Sequence, residues 1–275
     1  MPREDFETSN AREIDSLNQR GGRTLSLVDL IEAGTIPPDL AAAAAFAVSR
    51  GASLLTAALR GGAGKTTLMA ALLMFLPPGE RVVTTADART IADLAHAPAD
   101  PPVCALAHEI GSGAWYGYIW GRAVPAWFGL LGRGARLASC LHADTLEELR
   151  AVITGELAVP PETLDRIGLI LFMRAFHGGL RARRRVTSAW FGSADGHVPV
   201  CDYDPGRDAF RGAAPEQLAP ALRPVTGLDA GENLAGIRRT RAFLDAMAGA
   251  GVRDADQIRR HWLAQSPTAQ ENPTT

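Results

Sequence analysis

The sequence predicts an α/β fold: a mainly parallel sheet, an antiparallel extension at one sheet edge and a small helical C-terminal appendage. Three observations carry this. Short apolar runs alternate with helical stretches from residue 53 to residue 174, the pattern of successive β–α–β units. Several of those runs are almost continuously apolar, as strands covered on both faces must be. Beyond Arg181 the style changes to in–out alternation broken by Asp195-Gly196, a hairpin turn signal.

Residues 1–25 are polar, with Gly21-Gly22 near their end, and read as a flexible lead-in. Residues 26–33 form a short helix capped by Ser26, with Asp29 three residues on. Pro37-Pro38 then opens an alanine-rich helix ending near Gly51. Apolar strand segments follow at 53–58, 81–85, 103–108, 136–141 and 167–174. Between them lie helices at 65–76, stopped by Pro77-Pro78-Gly79, and at 146–155, opened by the capping pair Thr145 and Glu148. Segments 184–191 and 198–203 alternate and form the antiparallel extension. Two amphipathic helices close the chain, about 234–248 and 255–264, the second capped by Asp254. The core domain thus spans 26–228 and the appendage 229–264. The polar end, 265–275, carries two prolines and reads as a disordered tail.

Composition narrows the function. With 275 residues and a formal net charge of −2, the chain suits one sizeable domain with appendages and has no broad field that would draw nucleic acid. The local basic run from Arg181 to Arg185 reads as a subunit interface or a solvated strand end, so no nucleic-acid partner is expected. Three widely spaced cysteines, Cys104, Cys140 and Cys201, contain no Cys-x-x-Cys pair and support neither a disulfide framework nor a zinc knuckle. The polar, acidic first ten residues do not resemble a signal peptide, and the apolar stretch 40–48 is too short to span a bilayer. A cytoplasmic protein is expected.

The strongest chemical signal is Leu59-Arg60-Gly61-Gly62-Ala63-Gly64-Lys65-Thr66-Thr67, set between an apolar strand and a helix. Gly61, Gly62 and Gly64 permit a concave backbone whose N–H groups, Ala63 included, turn toward a phosphate chain. Lys65 reaches the β- and γ-phosphates, the hydroxyl of Thr66 completes the shell of a magnesium ion, and Thr67 follows in the first turn. The positive end of the helix adds to the field. ATP with Mg2+ is the expected ligand. The phosphate-loop pattern has glycine where this chain has Leu59. A leucine there either takes ordinary backbone angles and widens the loop or holds strained ones at about 1–3 kcal/mol, so Leu59→Gly is expected to tighten ATP binding.

Around this loop the sequence resembles the motor ATPases of type II and type IV secretion, type IV pili and archaella. Residues 27–41, running into Gly51-Ala52-Ser53-Leu54-Leu55, are similar to the family's approach to its phosphate loop. Pro78-Gly79-Glu80-Arg81-Val82-Val83-Thr84-Thr85-Ala86-Asp87 resembles the strand ending in its acidic "Asp box", and Ser139-Cys140-Leu141-His142-Ala143-Asp144-Thr145 its "His box". Residues 169–174 and Arg183-Arg184-Arg185-Val186-Thr187 resemble its last core strand and exit; Arg241-Ala242-Phe243-Leu244 and Gly251-Val252-Arg253-Asp254 resemble the closing helices of archaeal-type members, and the resemblance spans about residues 26–263. The second acidic motif keeps Glu109 but has His108 for glycine and Gly111 for arginine, and the Asp box has Ala86 for glutamate. Only 58 residues precede Leu59, too few for the domain that most members carry ahead of the motor. Missing cations would then come from Arg60, Arg133, Arg136 or another chain.

The resemblance implies a RecA-like phosphate-loop NTPase core that binds Mg-ATP and works as a homo-oligomeric ring, a hexamer, against a membrane-embedded secretion or pilus platform protein at the inner face of the cell membrane. The implied activity is ATP hydrolysis powering secretion or pilus-like assembly. The alternative is a degenerate nucleotide-binding paralogue with little hydrolysis, a regulatory or structural subunit. Glu109, at a strand end, would hold magnesium through water or orient the attacking water. His142 would bond the γ-phosphate or Glu109, and Asp87 is a third candidate catalytic group, weighed against a turn-forming Asp. His108 and His142 have no third partner at metal-ligand spacing. The aromatic cluster Trp115, Tyr116, Tyr118, Trp120, Trp127 and Phe128 reads first as core and second as a contact surface.

Overall fold

The computed structural model describes residues 3–18, 21–97, 100–178 and 181–265. Where the sequence suggests a flexible lead-in, Arg3–Asp15 is a helix, α1, with Asn10 and Ile14 buried on it and Leu17 buried just beyond it. The reason is long-range. Polar residues that read as solvated instead bond to a distant strand, described below. Next come α2 (Leu27–Glu32), opened by the reciprocal Ser26–Asp29 cap, and α3 (Pro38–Ser49), with proline in its first turn. Strand β1 (Leu54–Ala57) leads into α4 (Lys65–Leu73), β2 (Arg81–Thr84), α5 (Ala88–His96) and β3 (Val103–Leu106). Two short strands, β4 (Glu109–Ile110) and β5 (Tyr118–Ile119), precede α6 (Ala123–Gly129) and β6 (Arg136–Leu141). Then α7 (Leu146–Arg150) continues as a π-helix over Ala151–Glu156, followed by α8 (Pro161–Leu164).

The antiparallel part is a long ribbon of β7 (Leu169–Gly178), β8 (Arg181–Ser193), β9 (Gly196–Asp204) and β10 (Ala209–Arg211). Its β8–β9 turn places Ser193 opposite Gly196, which takes φ 115°, so the turn residues are Ala194 and Asp195. Helices α9 (Pro215–Ala221), α10 (Arg223–Thr226), α11 (Ala230–Gly249) and α12 (Ala255–Ala264) complete the described chain. The tail beyond Gln265 lies outside the described residues. Among those residues, no helix is long and apolar enough to cross a membrane.

The sheet runs β10-β9-β8-β7-β1-β6-β3-β2, with β4 and β5 paired beyond β6. Strands β7, β1, β6, β3 and β2 are mutually parallel; β8, β9 and β10 are antiparallel. This is the expected α/β architecture of RecA-like phosphate-loop type: β1 is central, the chain leaves it through α4 for the far edge, and returns strand by strand. Helices cover both faces. Leu54, Leu169 and Leu171 join the apolar layer built on α3, α4 and α11, whereas Leu55, Ile170 and Phe172 join the layer of α5, α6 and α7. That split follows from the two-residue period of a strand. The C-terminal appendage is part of the first layer, because α11 lies on α3. A Cβ on Gly236 would come within 2.2 Å of the Phe46 ring, so only glycine allows this approach.

Edge strand β2 is covered by α1. The Asn10 amide donates to the Glu80 carbonyl (2.8 Å) and accepts from the Val82 N–H (2.7 Å), as a neighbouring strand would. The Glu13 carboxylate takes the Thr84 hydroxyl, and Ser16 Oγ is 3.2 Å from His108 Nε2.

Candidate functional site

The site lies at the carboxyl end of the parallel strands, where the paired strands β1 and β6 end at Ala57 and Leu141. Thr56 on β1 donates to the Lys65 carbonyl (3.1 Å) and fixes the first turn of α4 against the sheet. Between them the loop turns through Gly62 (φ 80°) and Gly64 (φ 102°). A Cβ at Gly64 would meet Met173 Cε at 3.2 Å and Arg184 Cδ at 3.3 Å, so backbone angle and crowding both require glycine there. Ala63 is buried and Gly61 exposed. Leu59 is not among the described residues with positive φ and is 54% exposed. It has taken the ordinary angles and stores no strain. Its N–H donates to Asp144 Oδ1 (2.8 Å) and its carbonyl accepts from His142 Nδ1 (2.7 Å), which pins the start of the loop to the end of β6.

Three sequence-predicted residues converge. Lys65 is buried, with Nζ 3.3 Å from the Ala58 carbonyl, 3.3 Å from His142 Nδ1 and 3.8 Å from Glu109 Oε2. His142 Nε2 is 3.3 Å from Glu109 Oε1. Because His142 Nδ1–H is committed to the Leu59 carbonyl, Nε2 is the ring atom left to accept from Lys65 Nζ, 3.5 Å away.

Glu109 reaches this position through a jog after β3. The His108 N–H bonds the Gly117 carbonyl (2.7 Å), the Cys140 thiol donates to the His108 carbonyl (3.0 Å), and β4 then pairs with β6 at Ile110 and Leu141. Gly111, where the resembled family has arginine, leaves room for the carboxylate: a Cβ there would lie 3.0 Å from Glu109 Oε1. Burial, then the nearby Glu109 charge, pushes the Cys140 thiol and the Tyr118 hydroxyl up from their ordinary values, so both stay protonated.

Asp87 is not brought to this cluster. It caps α5, accepting from the Thr90 N–H (2.7 Å) and hydroxyl (2.9 Å), and those hydrogen bonds hold its carboxyl below the usual range. Strand β2 stands three positions from β1, about 14 Å at the usual spacing. The Thr66 hydroxyl makes no hydrogen bond within the described chain, and Thr66 and Thr67 are half-buried in the first turn of α4. The histidine pair separates: His108 is buried against Ser16 and the Tyr116 ring, away from His142, and burial lowers its basicity. No group of three metal-ligating side chains occurs among the described residues.

Several neighbours escaped the sequence reading. Asp144, within the His-Ala-Asp motif, braces the loop and is itself held by Arg174 (2.9 Å) from the middle of β7. Arg184 on β8 donates through Nε to the Gly62 carbonyl (2.9 Å). Elsewhere in the basic run, Arg183 and Arg185 both pair with Asp208, whose pKa falls to about 2 chiefly through the Arg185 hydrogen bond. The aromatic cluster divides: Trp127 and Phe128 are fully buried, whereas Trp115 and Tyr116 are exposed on the loop beside Glu109.

No protein-family model and no curated protein matches the sequence. Among solved structures, the chain is similar to the ATPase DotB of Legionella pneumophila, with 12% identity and a TM-score of 0.34 over 79% of this chain and 62% of that one. It is also similar to the Yersinia pseudotuberculosis ATPase DotB, with 8% identity and a TM-score of 0.35 over 81% and 60%. The chain thus spans about three-fifths of the length of the structures it matches.

Proposed function

We propose that the protein binds Mg-ATP in the loop 59–67 and hydrolyses it, as a motor subunit of a secretion or pilus-like assembly system. The observation that supports this best is the convergence of Lys65, Glu109 and His142 from three separate parts of the chain at the mouth of a glycine loop. A phosphate chain entering the loop meets inward N–H groups and the N-terminal end of α4, and draws the Lys65 ammonium away from Glu109. The released carboxylate then orients a water against the γ-phosphate, which is most of what phosphoryl transfer asks of a protein. His142, tied to Leu59 by Nδ1, links the loop entrance to Glu109. Thr66, whose hydroxyl has no hydrogen-bond partner among the described residues, and Glu109 through water would hold a magnesium ion, which would supply positive charge against the phosphates. A homo-oligomeric ring, a hexamer, seated on a membrane-embedded platform protein completes the reading.

The test is ATP turnover by wild type and Glu109→Gln, measured at several protein concentrations and after cross-linking. The expected result is magnesium-dependent turnover, reduced about a hundredfold or more by Glu109→Gln with binding retained, as when a preorganised carboxylate is neutralised. Turnover indifferent to Glu109→Gln removes Glu109 from the chemistry. Binding without turnover under every condition selects the second reading, a nucleotide-binding regulatory subunit. The commitment of Asp87 to a helix cap favours that reading.

A further inference from the structure

Arg184 has no role in the reading above, yet it is the one residue of the antiparallel ribbon whose side chain bonds the glycine loop among the described residues. Its neighbours Arg183 and Arg185 go to Asp208, and Arg185 also to the Ala33 carbonyl, as the alternation of a strand requires. The strand is anchored besides by the Val186 N–H on the Thr35 carbonyl (2.7 Å). From this fixed base the Arg184 stem lies along Gly64, and Nε–H donates to the Gly62 carbonyl at 2.9 Å.

A trans peptide is planar, with its carbonyl and N–H on opposite sides. Holding the Gly62 carbonyl outward toward β8 therefore turns the Ala63 N–H the other way, into the concave side of the loop. Flipping this peptide turns ψ of Gly62 and φ of Ala63, and a glycine on its carbonyl side lets that ψ change at little cost, so without an external brace this peptide is free to flip. A flipped peptide would present a carbonyl oxygen to a phosphate in place of a donor.

We propose that Arg184 is a positioning residue for the phosphate loop, fixing the Gly62–Ala63 peptide so that the Ala63 N–H faces the β-phosphate of the bound nucleotide. This rests on the nucleotide-binding reading and adds to it a link between the ribbon β7–β8 and the loop. Because a β-phosphate is common to both nucleotides, ADP and ATP depend on Arg184 equally.

The experiment is calorimetric titration of wild type, Arg184→Ala and Arg184→Lys with Mg-ADP and Mg-ATP, each protein checked by a thermal melt without nucleotide. Arg184→Ala is expected to weaken ADP and ATP by the same factor, about tenfold for the loss of one charge-assisted hydrogen bond. The nucleotide-free melt should stay within about 2 °C of wild type, as for an exposed surface substitution. Arg184→Lys, which keeps a donor of different geometry, is expected to fall between the two. If Arg184→Ala does not fold, Arg184→Met keeps the apolar stem over Gly64 and carries the same comparison. Unchanged affinities in a folded variant overturn the proposal while leaving the nucleotide reading intact. A loss confined to ATP overturns it too, because that would mark direct contact with the γ-phosphate. Failure of wild type to bind either nucleotide overturns the parent reading, and this proposal falls with it.

Discussion

Glu80 is a buried carboxyl group, 1% exposed, just before edge strand β2 and so at the end of the sheet opposite the candidate site. Arg136 Nη1 stands 2.7 Å from its Oε2, but the contact lacks hydrogen-bond alignment and both carboxyl oxygens are without a hydrogen-bond partner among the described residues. Burial dominates and pushes the pKa from 4.5 to about 7, against the opposing pull of Arg136 and then Arg259. The sign follows from proton binding. Below pH 4.5 Glu80 is protonated folded or unfolded. Between 4.5 and about 7 the unfolded chain has lost the proton and the folded chain keeps it, so stability falls as pH rises. At about 1.4 kcal/mol per pH unit, that window amounts to about 3 kcal/mol. Glu80→Gln has no such proton to lose. Urea unfolding of both proteins at intervals from pH 5 to pH 8 gives the difference in stability, with other carboxylates cancelling. The variant is expected to gain on wild type by about 2–3 kcal/mol across the series. A difference independent of pH would refute the argument, showing that Arg136 keeps Glu80 ionised in the folded state.

Three further outcomes follow from the geometry. Leu59→Gly is expected to leave ATP affinity unchanged in a paired titration, since Leu59 already holds ordinary angles, and to lower stability by about 0.4–1 kcal/mol through the unfolded chain; tighter binding would restore the expectation from sequence. Asp87→Ala should lower the melting temperature through loss of the α5 cap and leave turnover unaltered, whereas a collapse of turnover would return Asp87 to the catalytic set. Asn10→Ala strips two buried partners from edge strand β2 and is expected to cost about 2 kcal/mol by denaturant titration; a neutral result would mean that α1 does not cover this edge in solution.

The sequence made legible what local patterns determine. Near-continuous apolar runs marked the strands, and 136–141 coincides with β6 as observed. Ser26 and Asp254 cap the helices expected of them. The loop, Glu109 and His142 lie at strand ends in sequence and converge because parallel strands align those ends. What was missed depends on partners far along the chain. Nothing near Asn10 signals that its amide substitutes for a strand, and the polarity of α1 reads as solvation until β2 is in place. The Thr145–Glu148 spacing predicts a capping pair, yet the Glu148 carboxylate accepts from the Asp144 N–H (2.7 Å) while Thr145 Oγ1 accepts from the Glu148 N–H (3.1 Å). The arginine run was a cluster in sequence, but strand alternation sends Arg184 to the loop and its neighbours to Asp208.

The central claim is that residues 59–67 cradle the phosphates of a nucleotide with Lys65 as the cation at their centre. Its most direct measurement is the affinity of wild type and Lys65→Ala for ADP and ATP, each with and without magnesium. Lys65 is buried, and among the described residues its Nζ meets the Ala58 carbonyl, His142 and Glu109, so its charge is available to a phosphate chain. The account expects magnesium-dependent binding by wild type and a loss of most affinity, about a hundredfold, in Lys65→Ala. Equal affinity in the two proteins, or no binding by wild type at any magnesium concentration, would contradict it.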